Sequence, residues 1–131
     1  KLVSQFMSSI EETASKDISV RLKLEEIIRT HIDIAVFTPN SFAVLNNDWI
    51  YLNEPKKSEF IDSRTLYEKK LEEILLLGIH KNELKEYNTK IIIYQLLSPL
   101  RNIHLWYAKK SITTEELKSE LPELILDGVI K

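Results

Sequence analysis

The sequence has no cysteine, which excludes disulfides and thiolate-based metal or redox chemistry. With two glycines in 131 residues, it has no glycine-rich loop able to cradle a phosphate. Long apolar runs are lacking too. Runs such as Ile74–Leu77 and Ile91–Tyr94 fall far short of the roughly 18 residues a membrane span needs. Nothing resembles a signal peptide, and a cysteine-free, unprocessed chain fits the cytoplasm. Charge of one sign is also missing: 18 basic residues are interleaved with 20 acidic ones, for a net charge of −2. Such a surface lacks the positive footprint that duplex DNA demands. No internal repeat appears, so a solenoid is not expected. The chain opens on Lys1, not Met, and 1–14 already reads as helix interior. The expectation is a fragment from which an upstream segment has been removed.

What is present is helical periodicity, broken at few points. Six helices are predicted. The first, Leu2–Ser15, carries Val3, Phe6, Met7, Ile10 and Ala14 on one stripe. The second, Ser19–Phe37, carries Leu24, Ile27, Ile28, His31 and Ala35 at helical spacing and stops at Thr38-Pro39, because the residue before proline avoids the α region. A third spans Asn40–Leu52. Pro55 opens a fourth, Pro55–Leu77, as a first-position proline, and Gly78 stands where a left-handed cap belongs. His80–Glu86 reads as a loop. Asn88 caps a fifth helix, Thr89–Lys109, which Pro99 should kink. The sixth starts best: Thr113 with Glu116 forms a capping box, and Ile112 with Leu117 a hydrophobic staple. Pro122 predicts a kink or restart there, with Asp127-Gly128 near the end. Helices joined by short loops, without strands, make an all-α, six-helix bundle, read as one domain over 1–131.

The last two helices look too apolar for a surface position. On the fifth, Leu96, Leu100, Ile103 and Tyr107 align with Ile92, while Ile93, Leu97 and Leu105 point elsewhere. A helix in a monomeric bundle hides one stripe and keeps the rest wet. The sixth adds Leu117, Leu121, Leu124 and Ile125, and Gly128 would permit a close helix crossing. Two such hairpins paired about a two-fold axis would form a four-helix homodimer interface. The plainer alternative is that both helices are central in the monomer.

No Glu-x-x-His pair of the di-iron type occurs, and His80 with Glu83 lies in a polar loop. Adjacent carboxylates such as Glu72-Glu73 and Glu115-Glu116 read as solvated faces. No catalytic residue, metal ligand or cofactor is expected, and the chain reads as non-enzymatic. His31, on an apolar stripe, is either a core histidine bonded to a carbonyl or a polar group of a pocket. Arg64 lies on the apolar line of the fourth helix, so it should find a carboxylate or carbonyl partner. His104 lines either a pocket or the dimer seam.

Two segments carry a family resemblance. The stretch Arg64–Gly78, RTLYEKKLEEILLLG, resembles the Arg-x-x-Tyr…Gly segment of the C-terminal domains of TetR/AcrR transcriptional regulators. The end of the chain, WYAKKSITTEELKSELPELILDGV, resembles the finish of those domains: an aromatic pair, a short loop, Thr-x-Glu-Glu-Leu and a leucine-rich helix. One departure is visible, since the family often has a second Gly with Glu-Phe after the long helix, and here the loop reads Gly78-Ile-His-Lys-Asn-Glu-Leu.

The resemblance implies an effector-binding and dimerisation domain of a repressor. Lys1–Ser15 would be the linker helix to a missing amino-terminal helix-turn-helix domain, which would contact operator DNA. A small hydrophobic or aromatic effector is implied. Its pocket is expected between the first, fourth and fifth helices, lined by Phe6, Ile10, Tyr67, Leu71, Tyr94 and Leu97, with Trp49 near the mouth. The competing reading is a helical protein-interaction module without a small-molecule pocket.

Overall fold

A computed structural model describes residues 2–107 and 111–131, and among them there are helices and no strands. Helix α1 (Leu2–Ser15) leads into α2 (Val20–Phe37), whose cap Ser19 accepts from the Leu22 amide. α2 packs against every other α-helix of the described residues and buries Val20, Leu24, Ile27, Ile28, Ile32 and Ala35. Its Lys23 is buried as well, and its ammonium donates to the Ala14 carbonyl at 3.0 Å, closing the end of α1.

The expected third helix is three short pieces. α3 (Pro39–Ala43) passes into a π turn (Val44–Asp48) and a 3₁₀ turn (Trp49–Tyr51). The Asn46-Asn47-Asp48 run explains the change. These side chains compete for backbone groups, and the Asn46 amide donates to the Phe42 carbonyl at 3.0 Å. Fully buried Phe42 anchors the segment.

The long helix α4 (Lys56–His80) does not stop at Gly78. Its left-handed cap is Asn82, with φ of 63°. The Glu83 amide donates to the Gly78 carbonyl at 2.8 Å and the Asn82 amide to that of Ile79 at 3.0 Å, which together make a Schellman motif with asparagine at its left-handed position. Gly78 serves packing instead, because a Cβ there would lie 2.7 Å from Leu84 and 2.8 Å from Val20.

α5 (Thr89–Arg101), capped by the Asn88 side chain, runs through Pro99 and ends two residues later; α6 (Ile103–Trp106) restarts after Asn102. The Ala108–Lys109 end of the predicted fifth helix lies outside the described residues. α7 (Thr114–Leu126) starts on the predicted capping box, with Thr113 and Glu116 each bonding the other's backbone amide. α7 continues through Pro122 without a restart. Proline cannot donate to the carbonyl one turn back, and the guanidinium of Arg29 on α2 donates to that Lys118 carbonyl instead, at 3.3 Å. The tail then pairs with the α4–α5 loop, Lys85 donating to Val129 at 2.8 Å.

Replacing Gly78 with alanine tests the packing role. In an exposed helix the change stabilises by about 0.5–1 kcal/mol. Here it should cost about 1–3 kcal/mol, as overpacking does. Urea denaturation reads the sign directly, and a raised midpoint would contradict the close approach.

Candidate functional site

A cavity of about 60 Å³ opens where α1, α2, the π turn and α4 meet. α1 supplies Val3, Phe6 and Met7; α4 supplies Phe60, Ser63, Arg64 and Tyr67. His31 of α2, Leu45 and Asn46 of the π turn and Arg101 at the end of α5 complete the wall. An aromatic cluster forms its floor. The Phe6 ring lies 4.6 Å from His31 and meets Tyr67 edge-on at 6.2 Å.

The polar groups differ sharply in how they are satisfied. The His31 Nδ1–H donates to the Ile27 carbonyl at 3.0 Å, which fixes the tautomer and leaves Nε2 as an acceptor. Burial pushes its pKa down to about 4, against the Ile27 bond and with help from the Arg101 charge, so the ring is neutral. Burial pushes the Tyr67 phenol up, only partly offset by Arg101, so it keeps its proton. Arg101 donates to one oxygen of Glu68 at 3.0 Å, and Tyr94 donates to the other at 3.1 Å. Among the described residues, Arg64 has no such carboxylate. Its guanidinium lies over the Trp49 ring at 5.5 Å and the Phe60 ring at 5.7 Å, and those two rings stack on each other. Burial and then the Arg101 charge lower its pKa, while Glu68 opposes them. Arg64 and Arg101 also border a shallow outer groove with Trp49, Ile61, Glu68 and Tyr94.

The family model of the tetracyclin repressor-like C-terminal domain matches residues 17–129. The chain belongs to this family. No curated protein sequence matches it. Among solved structures, the TetR/AcrR-family regulator of Thermobifida fusca YX-ER1 superposes with a TM-score of 0.84 at 15% identity, over 96% of this chain and 67% of that one. The ketosteroid regulator KstR2 of Mycobacterium tuberculosis gives 0.88 at 11% identity, over 98% and 67%. AibR, in complex with isovaleryl coenzyme A and operator DNA, gives 0.79 at 12% identity, over 93% and 67%. At these identities the likeness is one of fold. The all-α TetR-like C-terminal architecture expected from the sequence is the architecture observed.

Within this TetR-like domain, the expected pocket residues separate. Phe6 and Tyr67 line the cavity, whereas Trp49 and Tyr94 border the outer groove. Ile10, Leu71 and Leu97 are enclosed in the core and line neither. They share a helical stripe with the cavity residues but sit at levels where neighbouring helices close over them. His31 combines both of its readings, bonded to a carbonyl and lining the cavity. Arg64 departs from its expected role, since it meets aromatic faces in place of a carboxylate. Arg101 was not singled out from the sequence; its position beyond Pro99 gives no sign that it turns toward α4.

The hairpin expectation is also corrected. Leu96, Leu100, Ile103, Leu117 and Ile125 are buried by their own chain and have no surface to offer a second copy. Tyr107 and Leu121 are partly covered, and Leu124 is 71% exposed. Much of the apolar surface of the fifth helix is covered because α5 packs on α2, α4, α6 and α7, while Ile91 and Leu105 stay exposed. Gly128 makes no close crossing within the chain: a Cβ there would meet nothing within 4 Å. His104 does not line the cavity; its Nε2 accepts from the Asn47 amide at 2.8 Å and its ring meets Phe42 edge-on at 5.6 Å.

Stability should report the neutral state of His31. Its pKa in the folded chain lies below the unfolded value, so the unfolded chain binds more protons between the two. The stabilisation is fully present above about pH 6.5 and is lost as the pH falls toward about 4. Between pH 7 and 4.5 this amounts to about 2–3 kcal/mol. His31→Gln should flatten the stability profile by that amount over this range, measured by denaturation at both pH values. Parallel profiles for the two proteins would refute it.

Proposed function

We propose that this chain is the effector-binding and dimerisation domain of a cytoplasmic, non-enzymatic transcriptional repressor. A small molecule in the cavity would reset α1 and thereby alter operator binding by an amino-terminal helix-turn-helix domain. One observation carries this reading: Val3, Phe6 and Met7 of α1 form a wall of the cavity. Sites for drug-sized ligands measure roughly 300–1,000 Å³, whereas this one is about 60 Å³. A ligand larger than the cavity is admitted only by moving a wall, and α1 is the wall that leads toward the DNA-binding domain. Coupling then equals the ligand's differential affinity for the two settings of α1. The solved complex of AibR with isovaleryl coenzyme A and operator DNA supports such a role, because that protein engages both ligands. The apolar, tyrosine-bearing wall suits a hydrophobic or aromatic effector.

The dimer face we propose is what α5 and α7 leave uncovered. Ile91 is 67% and Leu124 71% exposed. Tyr87, Ile91 and Gly128 share a shallow apolar groove, with Leu124 four residues before Gly128. An isologous two-fold pairing would cover this surface from both sides. Sedimentation should give twice the 15.3 kDa chain mass. Leu124→Glu should weaken association at least tenfold by placing an unpaired charge in the seam. An unchanged dimer in that variant would move the interface elsewhere.

The effector role is tested by a thermal-shift screen of small hydrophobic molecules. Ligand at a hundredfold excess over its Kd adds about 2.7 kcal/mol to stability. Met7→Trp, which fills the cavity, should abolish the shift of any binder. A binder indifferent to that change would not be using this site.

A further inference from the structure

The charges around the cavity do not balance, and the imbalance selects a ligand class. Three charged side chains border the cavity and the adjoining groove: Arg64, Arg101 and Glu68. Glu68 is spent. Its two oxygens accept from Arg101 and Tyr94, at 3.0 and 3.1 Å. Arg64 is left half-buried, held by the faces of Trp49 and Phe60, with no hydrogen bond to an acceptor among the described residues. A guanidinium half withdrawn from water, without an acceptor there, keeps donors free for a ligand. Its planar fork of donors matches a carboxylate or phosphate. The same guanidinium borders both the inner cavity and the outer groove, so it sits at their junction. Inside that junction the chain offers apolar surface from Phe6 and Met7 and the uncharged His31 and Tyr67. At about 10–15 Å³ per water-sized group, the 60 Å³ cavity has room for about four to six non-hydrogen atoms.

We infer that the effector is an amphiphilic anion, its carboxylate or phosphate seated on Arg64 at the groove and a short apolar tail in the cavity. This rests on the effector-binding reading above and deepens it. Arg64 is the specificity residue. The tail end selects by size, and the neutral interior excludes a second charge.

Thermal shifts of the full chain with hexanoate, hexyl phosphate and 1-hexanol test the inference. At matched concentration and 50 mM salt, at least one anion should raise Tm by three times or more the shift given by hexanol. Whichever anion gives the larger shift identifies the head group. Arg64→Gln should reduce the anion shift to the hexanol level, and Arg64→Lys should retain a preference for the anion. Should the glutamine variant fail to fold, salt decides: raising it to 500 mM should shrink the anion shift and leave that of hexanol in place. Hexanol matching the anions in the unaltered chain, or an anion preference surviving Arg64→Gln or high salt, overturns the inference and leaves the pocket standing. No shift from any of the three overturns the inference and the effector pocket together.

Discussion

Everything in this domain is arranged around the burial of α2. Its side chains meet α1, α3, α4, α5, α6 and α7, and Leu24, Ile28 and Ile32 are wholly withdrawn from water. A helix enclosed on so many sides can carry few polar groups, and each must be satisfied within reach. Lys23 turns its ammonium onto the Ala14 carbonyl, and His31 gives its one ring proton to Ile27. Arg29, nearer the surface, reaches the carbonyl that Pro122 leaves without a donor. The same helix thus fixes the end of α1, the state of the cavity histidine and the satisfied carbonyl at which α7 passes Pro122.

The cavity follows from how the other elements close around α2. Where the Asn46-Asn47-Asp48 run loosens the chain into a π turn, the packing between α1, α2 and α4 is incomplete, and the gap is lined by rings. Burial is the dominant influence on the ionisable groups there, reinforced by the Arg101 charge at His31 and opposed by it at Tyr67, and it keeps both uncharged. Charge is confined to the rim, where Glu68 neutralises Arg101 and leaves Arg64 to its aromatic neighbours. A cavity whose His31 and Tyr67 do not titrate near neutral pH is a poor setting for acid–base catalysis by those groups.

Much of the secondary structure was legible before any coordinates. α1 matches its predicted span, and the capping box at Thr113 and Glu116 and the cap at Asn88 form as read. Those signals act over three or four residues and need no partner. The misjudged features all depend on neighbours remote in sequence. Gly78 looked like a cap because glycine favours left-handed turns, but Val20 and Leu84 require it to be small. Leu96, Leu100 and Ile103 looked like a dimer seam because α5 is apolar on two sides; α2, α4 and α7 supply the second cover. Of the candidate pocket, Phe6 and Tyr67 were legible as aromatic positions on helical stripes. Arg101 was not, because its pairing with Glu68 spans 33 residues.

The sequence by itself determined the helical class, the capped starts of α5 and α7 and the family, since periodicity, caps and soft motifs are written in local residue order. Tertiary structure decided which apolar face is core, how Pro122 is accommodated and which arginine is left without a carboxylate. Those outcomes depend on contacts such as Arg29 with Lys118, 89 residues apart, and no local pattern encodes which distant group arrives.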